Sequence, residues 1–553
     1  MMKRIARLLP AVLVGVLLGG CGFRSEQADL VLHNGRVLTL DGELTVAEAV
    51  AVREGKVVAV GTGKELLRRF RAERTVDLRG ATVMPGLIDA HAHVVGYADG
   101  LLRADLVATG SWEEAVERMR ELGGGQPEGW VVGRGWDQND WADTALPTRA
   151  LLDAAFPDRP AVCERIDGHA VVANGAALAA AGITGQSRFE GGEVILDTAG
   201  QPTGVLIDAA ASALQAAVPP LDRKDREEAL REAEARLFAA GLTAVTDAGL
   251  SLADIRFIDS LQTAGALRLR IVAMASDTEE NRTHFIANGP LETDRLLVRS
   301  FKFYMDGALG SRGAALLEPY SDRPGWSGLL VTDPVAYRER IAALHAAGFQ
   351  VATHAIGDRA VRIVIDACAE VLGGTNDARW RIEHAQVVAE EDLARFAAYS
   401  LVPSVQPTHA TSDAPWAGVR LGRNRIRRAY AYRELKDALG MLALGTDFPV
   451  EDIDPRRTFH AAVARTNASG EPKGGFQTEN ALTPLDALRG MTVWAALANF
   501  QEDRFGTVEV GKAADFTVVD RDWLAEPAAV LESRVLATVV AGEIVYSDGT
   551  WLR

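Results

Sequence analysis

A chain of 553 residues, 48% hydrophobic and 24% charged, has an ordinary globular composition, with room for one large domain plus a smaller one, or for three to four small ones. Its net charge of −16, from 59 basic and 75 acidic residues, argues against a nucleic-acid partner, which would need a basic patch. Three cysteines are too few for a disulfide framework or a four-cysteine zinc site.

In chain order, residues 1–20 read as a leader. A basic start is followed by an apolar run too short to span a bilayer comfortably, which closes on Leu18-Gly19-Gly20-Cys21. This is the order of a bacterial lipoprotein signal, with lipid on the Cys21 thiol; an ordinary signal peptide or an uncleaved anchor are the other readings. Gly22 in place of an aspartate directs the expectation to an outer-membrane anchor facing the periplasm, with the membrane touched only through the lipid. Cys163 and Cys368 remain, as a pair or as two buried thiols.

Residues 21–28 are expected to be a polar tether, and residues 29–85 to form short strands. Asn34-Gly35 and Glu54-Gly55 mark two hairpins in that region. Residues 501–553 repeat the style, with strands predicted at 516–520, 535–540 and 543–546. Neither terminal piece has enough strands to bury both faces alone. The two are therefore predicted to join in one β-sandwich, with residues 86–500 inserted between them.

The inserted part opens on a short buried strand ending in His91 and His93. Residues two apart on a strand share a face, so both imidazoles aim at one point, as two ligands of one metal ion require. Two histidines satisfied by hydrogen bonds at a strand end are the plainer alternative. Seven further strands are predicted at 242–247, 269–274, 297–304, 349–354, 380–384, 401–406 and 441–447, with helical periodicity between them, as at 225–240 and 334–347. Eight β-α repeats imply a closed parallel (β/α)8 TIM barrel, whose functional residues sit at the C-terminal ends of its strands. Residues from about 100 to 220 break this rhythm and are too long for a βα loop, so an inserted α/β subdomain is predicted at the barrel mouth.

The predicted strand ends carry a consistent set. His91 and His93 end strand one, strand four carries Lys302, and His354, His384 and Asp447 end strands five, six and eight. Imidazoles hold zinc-like divalent ions, and an aspartate can both ligate and take a proton. Asp447 is thus the candidate general base for a water activated by metal.

With these residues in place, the chain resembles the amidohydrolase superfamily, and within it the amidohydrolase 3 branch of YtcJ-like proteins. The resembling segments are 85–93, 135–137, 167–169, 302–312, 353–358, 381–384, 445–449 and 511–515. The resemblance implies a β-sandwich with a distorted barrel, and hydrolysis of carbon–nitrogen bonds in amides or cyclic amides by one or two divalent ions, with zinc favoured. Carried over by residue, His91 and His93 bind one metal, His354 and His384 the other, and Asp447 is ligand and base. Lys302 matches a position where related enzymes carry a carboxylated lysine bridging two metals; an unmodified amine in an ion pair is the alternative.

Candidates for substrate contact are His169, Trp136 and Asp137 from the insertion, Arg312, and His409 just past strand seven. Trp136 and Asp137 would line the pocket or merely anchor the insertion, and Arg312 would meet a substrate carboxylate or form an internal salt bridge. Asp358 is expected to cap the helix after strand five. The expected partner is a small-molecule substrate, and a homodimer is left open. The competing readings keep the site but cut an ester, lactone or carbamate, or deaminate; a lipoprotein that only binds metal or ligand is the non-enzymatic one.

Overall fold

Eight parallel strands form a nearly closed barrel in the computed structural model, which describes residues 25–124 and 129–550. In chain order they are Leu87–Ala92, Leu242–Leu250, Arg270–Ser276, Leu296–Tyr304, Gln350–Ala355, Arg381–His384, Val402–Val405 and Ala443–Leu444. Strands one, five, six and seven are buried at every position, one face on the helices and the other inside the barrel, where polar residues such as Asp89, His91, Arg381, Glu383 and Ser404 are buried as well. Helices such as Arg223–Ala239, Leu252–Thr263, Pro334–Ala346 and Asp358–Leu372 pack outside them. Asp222, Ser251, Thr278, Asp333 and Asp454 each accept a backbone N–H at a helix start and set where five of these helices begin.

Strand eight is shorter than the sequence predicts, for a local reason. Thr446 donates its N–H and its hydroxyl to the carboxylate of Asp89, and the chain turns away at Asp447, whose φ is +64°. The barrel closes through this turn: Asp447 N–H donates to His91 O and His93 N–H to Phe448 O, both at 2.8 Å. Gly445 allows that approach, since a Cβ there would lie 2.5 Å from the His91 nitrogen.

The two terminal pieces share a sandwich. One sheet has four strands from the N-terminal piece alone. The other has six, in which the C-terminal strand Phe516–Val519 pairs antiparallel with the N-terminal strand Thr82–Pro85. Leu30, Val50 and Val83 pack there against Phe516 and Val539. A buried ion pair, Arg270 Nε to Asp515 Oδ2 at 2.6 Å, joins the sandwich to barrel strand three. The first strand starts at Glu26, so residues 26–28 lie in the sheet rather than in a tether. They pair there with Phe70–Asp77, which bury Ala28. The leader and Cys21 lie outside the described residues. Among those described, no helix is long and apolar enough to cross a membrane.

The insertion is a domain with its own mixed six-stranded sheet, running from Ala104–Asp105 to Pro202–Asp208, and its own core around Trp112, Met119, Trp136 and Trp141. It reaches the barrel mouth through Arg134, which donates to Pro449 O at 2.9 Å. Cys163 is buried in the insertion and Cys368 in the helix after strand five; both are free thiols. That helix begins with Gly357 in the capping position, not Asp358. A side chain at residue 357 would strike Ala315 O at 2.0 Å, and Asp358 instead accepts the Leu317 N–H at 2.8 Å.

Candidate active site

His91, His93, Lys302, His354, His384 and Asp447 come together at the C-terminal mouth of the barrel. The strand pleat turns Asp89 and His91 inward, and the fully buried His91 ring lies 5.6 Å from that of His93 and 5.0 Å from that of His384, centre to centre. Asp447 sits among them. Its Oδ1 is 3.1 Å from His93 Nε2 and 3.6 Å from His91 Nε2, while its Oδ2 is 3.7 Å from His409 Nε2 and 3.9 Å from His384 Nδ1.

The hydrogen bonds around these rings settle what their free nitrogens can do. Nδ1 of His91 faces Glu383 Oε2 at 2.5 Å, Nδ1 of His93 faces Ala248 O at 2.9 Å, and Nδ1 of His384 faces Gln406 Oε1 at 2.7 Å. All three partners accept, so each Nδ1 carries a proton and donates it. In the neutral ring, Nε2 then presents a lone pair, the arrangement found behind metal-ligating histidines.

Two donor sets meet the spacing of a metal site, every ligand atom within 4.8 Å of the others: His91, His93 and Asp447, and His384, His409 and Asp447. Asp447 Oδ1, His354 Nε2 and His409 Nε2 are buried without a hydrogen-bond partner. Orphaned donors and acceptors of this kind are costly unless something binds there, so the residues fit one or two divalent ions. The second set contains His409, which the sequence reading gave to substrate. His354 is close by, its ring 4.6 Å from that of His384, with Nε2 3.6 Å from Asp306 Oδ1.

Charge in this pocket follows from burial and neighbours. Burial, followed by the Lys302 charge, brings His91 down to about 4, and burial brings the Lys302 ammonium down to about 8. The Lys302 amine lies 3.1 Å from His91 Nε2 and over the Tyr304 ring at 4.9 Å. Burial would raise Glu383, but the Arg381 guanidinium and His91 outweigh it and hold the carboxyl well below its ordinary range. Burial likewise works against the Asp447 carboxylate, yet the imidazoles of His93, His91 and His384 around it keep its pKa far below that of an ordinary aspartate.

Three candidates for substrate contact have other work. Trp136 is fully buried in the insertion core, where its indole N–H donates to Cys163 O at 2.9 Å, so it is an anchor and no pocket wall. Asp137 pairs with Arg165 and accepts the Asn139 N–H at 2.8 Å, closing a turn of the insertion. Arg312 is held by Asp322 at 2.9 Å, the internal salt bridge rather than a free carboxylate receptor. His169 does reach the site: its ring lies 5.5 Å from that of His354, and its Nδ1 is 2.7 Å from Asp208 Oδ1.

Glu383, Gln406, Asp306 and Asp208 support the site and were not singled out from the sequence. A signal existed for Glu383. Period-two alternation puts Arg381 and Glu383 on one face of strand six, and the structure has both inside the barrel, with His384 turned in at φ +71°. Asp306 binds three backbone N–H groups, of Ala315, Ile356 and Gly357, and so ties the loops after strands four and five together. Nothing in the local sequence pointed to that.

Comparison with known proteins agrees with this geometry. Residues 74–546 match the profile described as the amidohydrolase family. The chain is 32% identical over 541 residues to the protein LONG AFTER FAR-RED 3 of Arabidopsis thaliana, spanning 94% of this chain and 92% of that one. It is 27% identical over 546 residues to the N-substituted formamide deformylase of Arthrobacter pascens, spanning 94% and 99%. Among solved structures, an uncharacterized metal-dependent hydrolase from Pyrococcus horikoshii superposes with a TM-score of 0.74 at 27% identity, covering 90% of this chain and 98% of that one.

Proposed function

The chain belongs to the amidohydrolase family and is a metal-dependent hydrolase, and from that premise we propose that it cuts the carbon–nitrogen bond of a small non-peptide amide or cyclic amide. The observation that carries the proposal is the meeting of two three-donor sets on one shared carboxylate, Asp447, at the barrel mouth. The likeness to a deformylase of N-substituted formamides supports an amide as the bond.

His91, His93, His384 and His409 with Asp447 would hold the metal, and His354 and Lys302 stand within reach of it. When bound, a zinc-type ion supplies Lewis acidity toward the substrate carbonyl and toward water. Asp447, ionised and unpaired at Oδ1, takes a proton from the attacking water and returns it to the leaving nitrogen. Glu383, Ala248 and Gln406 hold three imidazoles in the tautomer with Nε2 free. Lys302 loses its proton as pH rises through about 8, so at mildly alkaline pH it is largely the neutral amine that carboxylation requires.

Metal analysis of the purified chain, combined with assays on N-acyl amines, N-acyl amino acids, cyclic amides and esters, tests the proposal. The expected result is one to two zinc-type ions per chain, amide turnover that chelation removes, and a bicarbonate stimulation larger near pH ~8.5 than near pH ~6.5, on either side of the Lys302 value. Less than about half an ion per chain after zinc or manganese supplementation would overturn it.

The anchor is a separate part of the reading. A basic start, a short apolar run and Leu18-Gly19-Gly20-Cys21 support a chain held by lipid on the periplasmic face of an outer membrane. Labelled palmitate should enter the wild type and not Cys21→Ser; equal labelling of both would sink the assignment.

A further inference from the structure

We propose that His169 of the insertion touches the substrate through Nε2, and that Asp208, seated against two glycines of the barrel, is the positioning residue that aims it. The inference rests on the hydrolase reading above and adds to it a contact made by a different domain.

His169 is held from three sides. Its N–H donates to Asp167 Oδ1 at 3.0 Å, its carbonyl accepts the Asp208 N–H at 2.8 Å, and its Nδ1 faces Asp208 Oδ1 at 2.7 Å. The two residues lie opposite each other just past the antiparallel pairing of Ala170 with Ile207, so the ring and the carboxylate are fixed by the same ladder. Of the two nitrogens of the His169 ring, Nε2 has no hydrogen bond to the described residues. The ring stands 5.5 Å from that of His354, which is 4.6 Å from that of His384, the neighbour of Asp447. The free nitrogen therefore belongs to the same mouth as the base.

Asp208 has features that a merely structural residue would not need. Its φ is +49°, an uncommon backbone for a residue with a side chain, and it sits where the last insertion strand turns into the helix Ala209–Gln215. Its side chain is 4% exposed and its Oδ2 is buried without a partner. That oxygen points at the loop after strand four. Side chains at Gly307 and Gly313 would bring Cβ atoms within 3.2 and 3.4 Å of it. Here Gly307 and Gly313 form a socket: the absence of Cβ atoms lets a carboxylate from the insertion lie against the barrel loop that also carries Asp306. The residue that seats the insertion against the barrel loop is thus the same one that aims His169.

The test uses the full-length zinc-loaded chain and the amide that the wild type turns over. His169→Gln keeps the side-chain size, and His169→Ala removes it. Both are expected to lower kcat/KM by about a hundredfold, the usual loss for one oriented donor, with zinc content and Tm unchanged. Asp208→Asn disturbs the aim alone, and Gly307→Ala disturbs it while also crowding the Gly313 backbone at 3.2 Å; both are expected to lower kcat/KM by about tenfold, again without loss of zinc. A second readout needs no turnover: binding of the carboxylate product to the metal-free chain, followed by calorimetry, is expected to weaken in His169→Gln. The inference is overturned if both His169 variants stay within about threefold of wild type, or if their loss is matched by loss of zinc or a lower Tm. A wild type inactive on every amide but active on an ester or lactone would sink the carbon–nitrogen reading alone, and the same variants then decide the His169 contact on that ester or lactone.

Discussion

Asp447→Asn is expected to lower kcat by about a thousandfold while the protein stays folded and keeps bound metal. Asparagine is the right replacement for two reasons. Residue 447 has a φ of +64°, a region that asparagine enters more readily than any other residue except glycine, so the backbone turn that closes the barrel survives. Asparagine also keeps one side-chain oxygen, enough to complete either the His91 and His93 set or the His384 and His409 set, since each pair faces a different oxygen of Asp447. What it lacks is a site for the proton taken from water. Turnover of a confirmed substrate and metal content of the same sample check this together. A variant within tenfold of wild type would mean that the proton goes elsewhere; a variant that has lost both metal and activity would make Asp447 chiefly a ligand.

Glu383→Gln is expected to weaken both the fold and the site. Glu383 and Arg381 are wholly buried and joined at 2.7 Å, and the same carboxylate holds His91 Nδ1. Arg381 is further bound to Ala90 O at 2.6 Å, Ser404 Oγ at 2.8 Å and Asn499 Oδ1 at 2.9 Å, so it cannot swing out to water when its counter-ion goes. Removing one partner of a buried pair in this way costs about 3–5 kcal/mol. Metal affinity is expected to fall about 10–100-fold, because His91 loses the acceptor that orients it. The pH dependence has a definite sign. The folded Glu383 carboxyl lies below its unfolded value of about 4.3, so its contribution is fully present above that value and is lost only as pH falls toward the folded one. The stability gap between wild type and variant should therefore be the same at pH ~7 and pH ~5 and should shrink only in stronger acid. Denaturant unfolding at those pH values measures it; a gap below about 1 kcal/mol at pH ~7 would show that the pair is dispensable.

These predictions bear on residues of very different legibility. His91, His93, His354, His384 and Asp447 could be read because strand ends in a parallel barrel face one mouth, so a ligand-type residue at each end of a regular repeat points to a common site. Glu383 was one step harder: its inward face follows from strand alternation, but its partner is a histidine almost 300 residues away. Arg312 and Trp136 were the opposite case. Each stands in a segment that marks the family, and each turned out to be used inside the protein, by Asp322 and by the insertion core.

The sequence by itself determined the barrel, the split sandwich and the identity of most donors, because hydrophobic period, turn residues and ligand chemistry are local properties of the chain. It also determined that an extra domain follows strand one. Only the tertiary structure decided how that domain meets the barrel. The seating of Asp208 against Gly307 and Gly313, the reach of His169 to His354, and the place of His409 beside His384 and Asp447 are all set by packing between segments far apart in the chain. Such contacts leave no periodic trace, since each is made by a single side chain meeting a surface that another part of the chain builds.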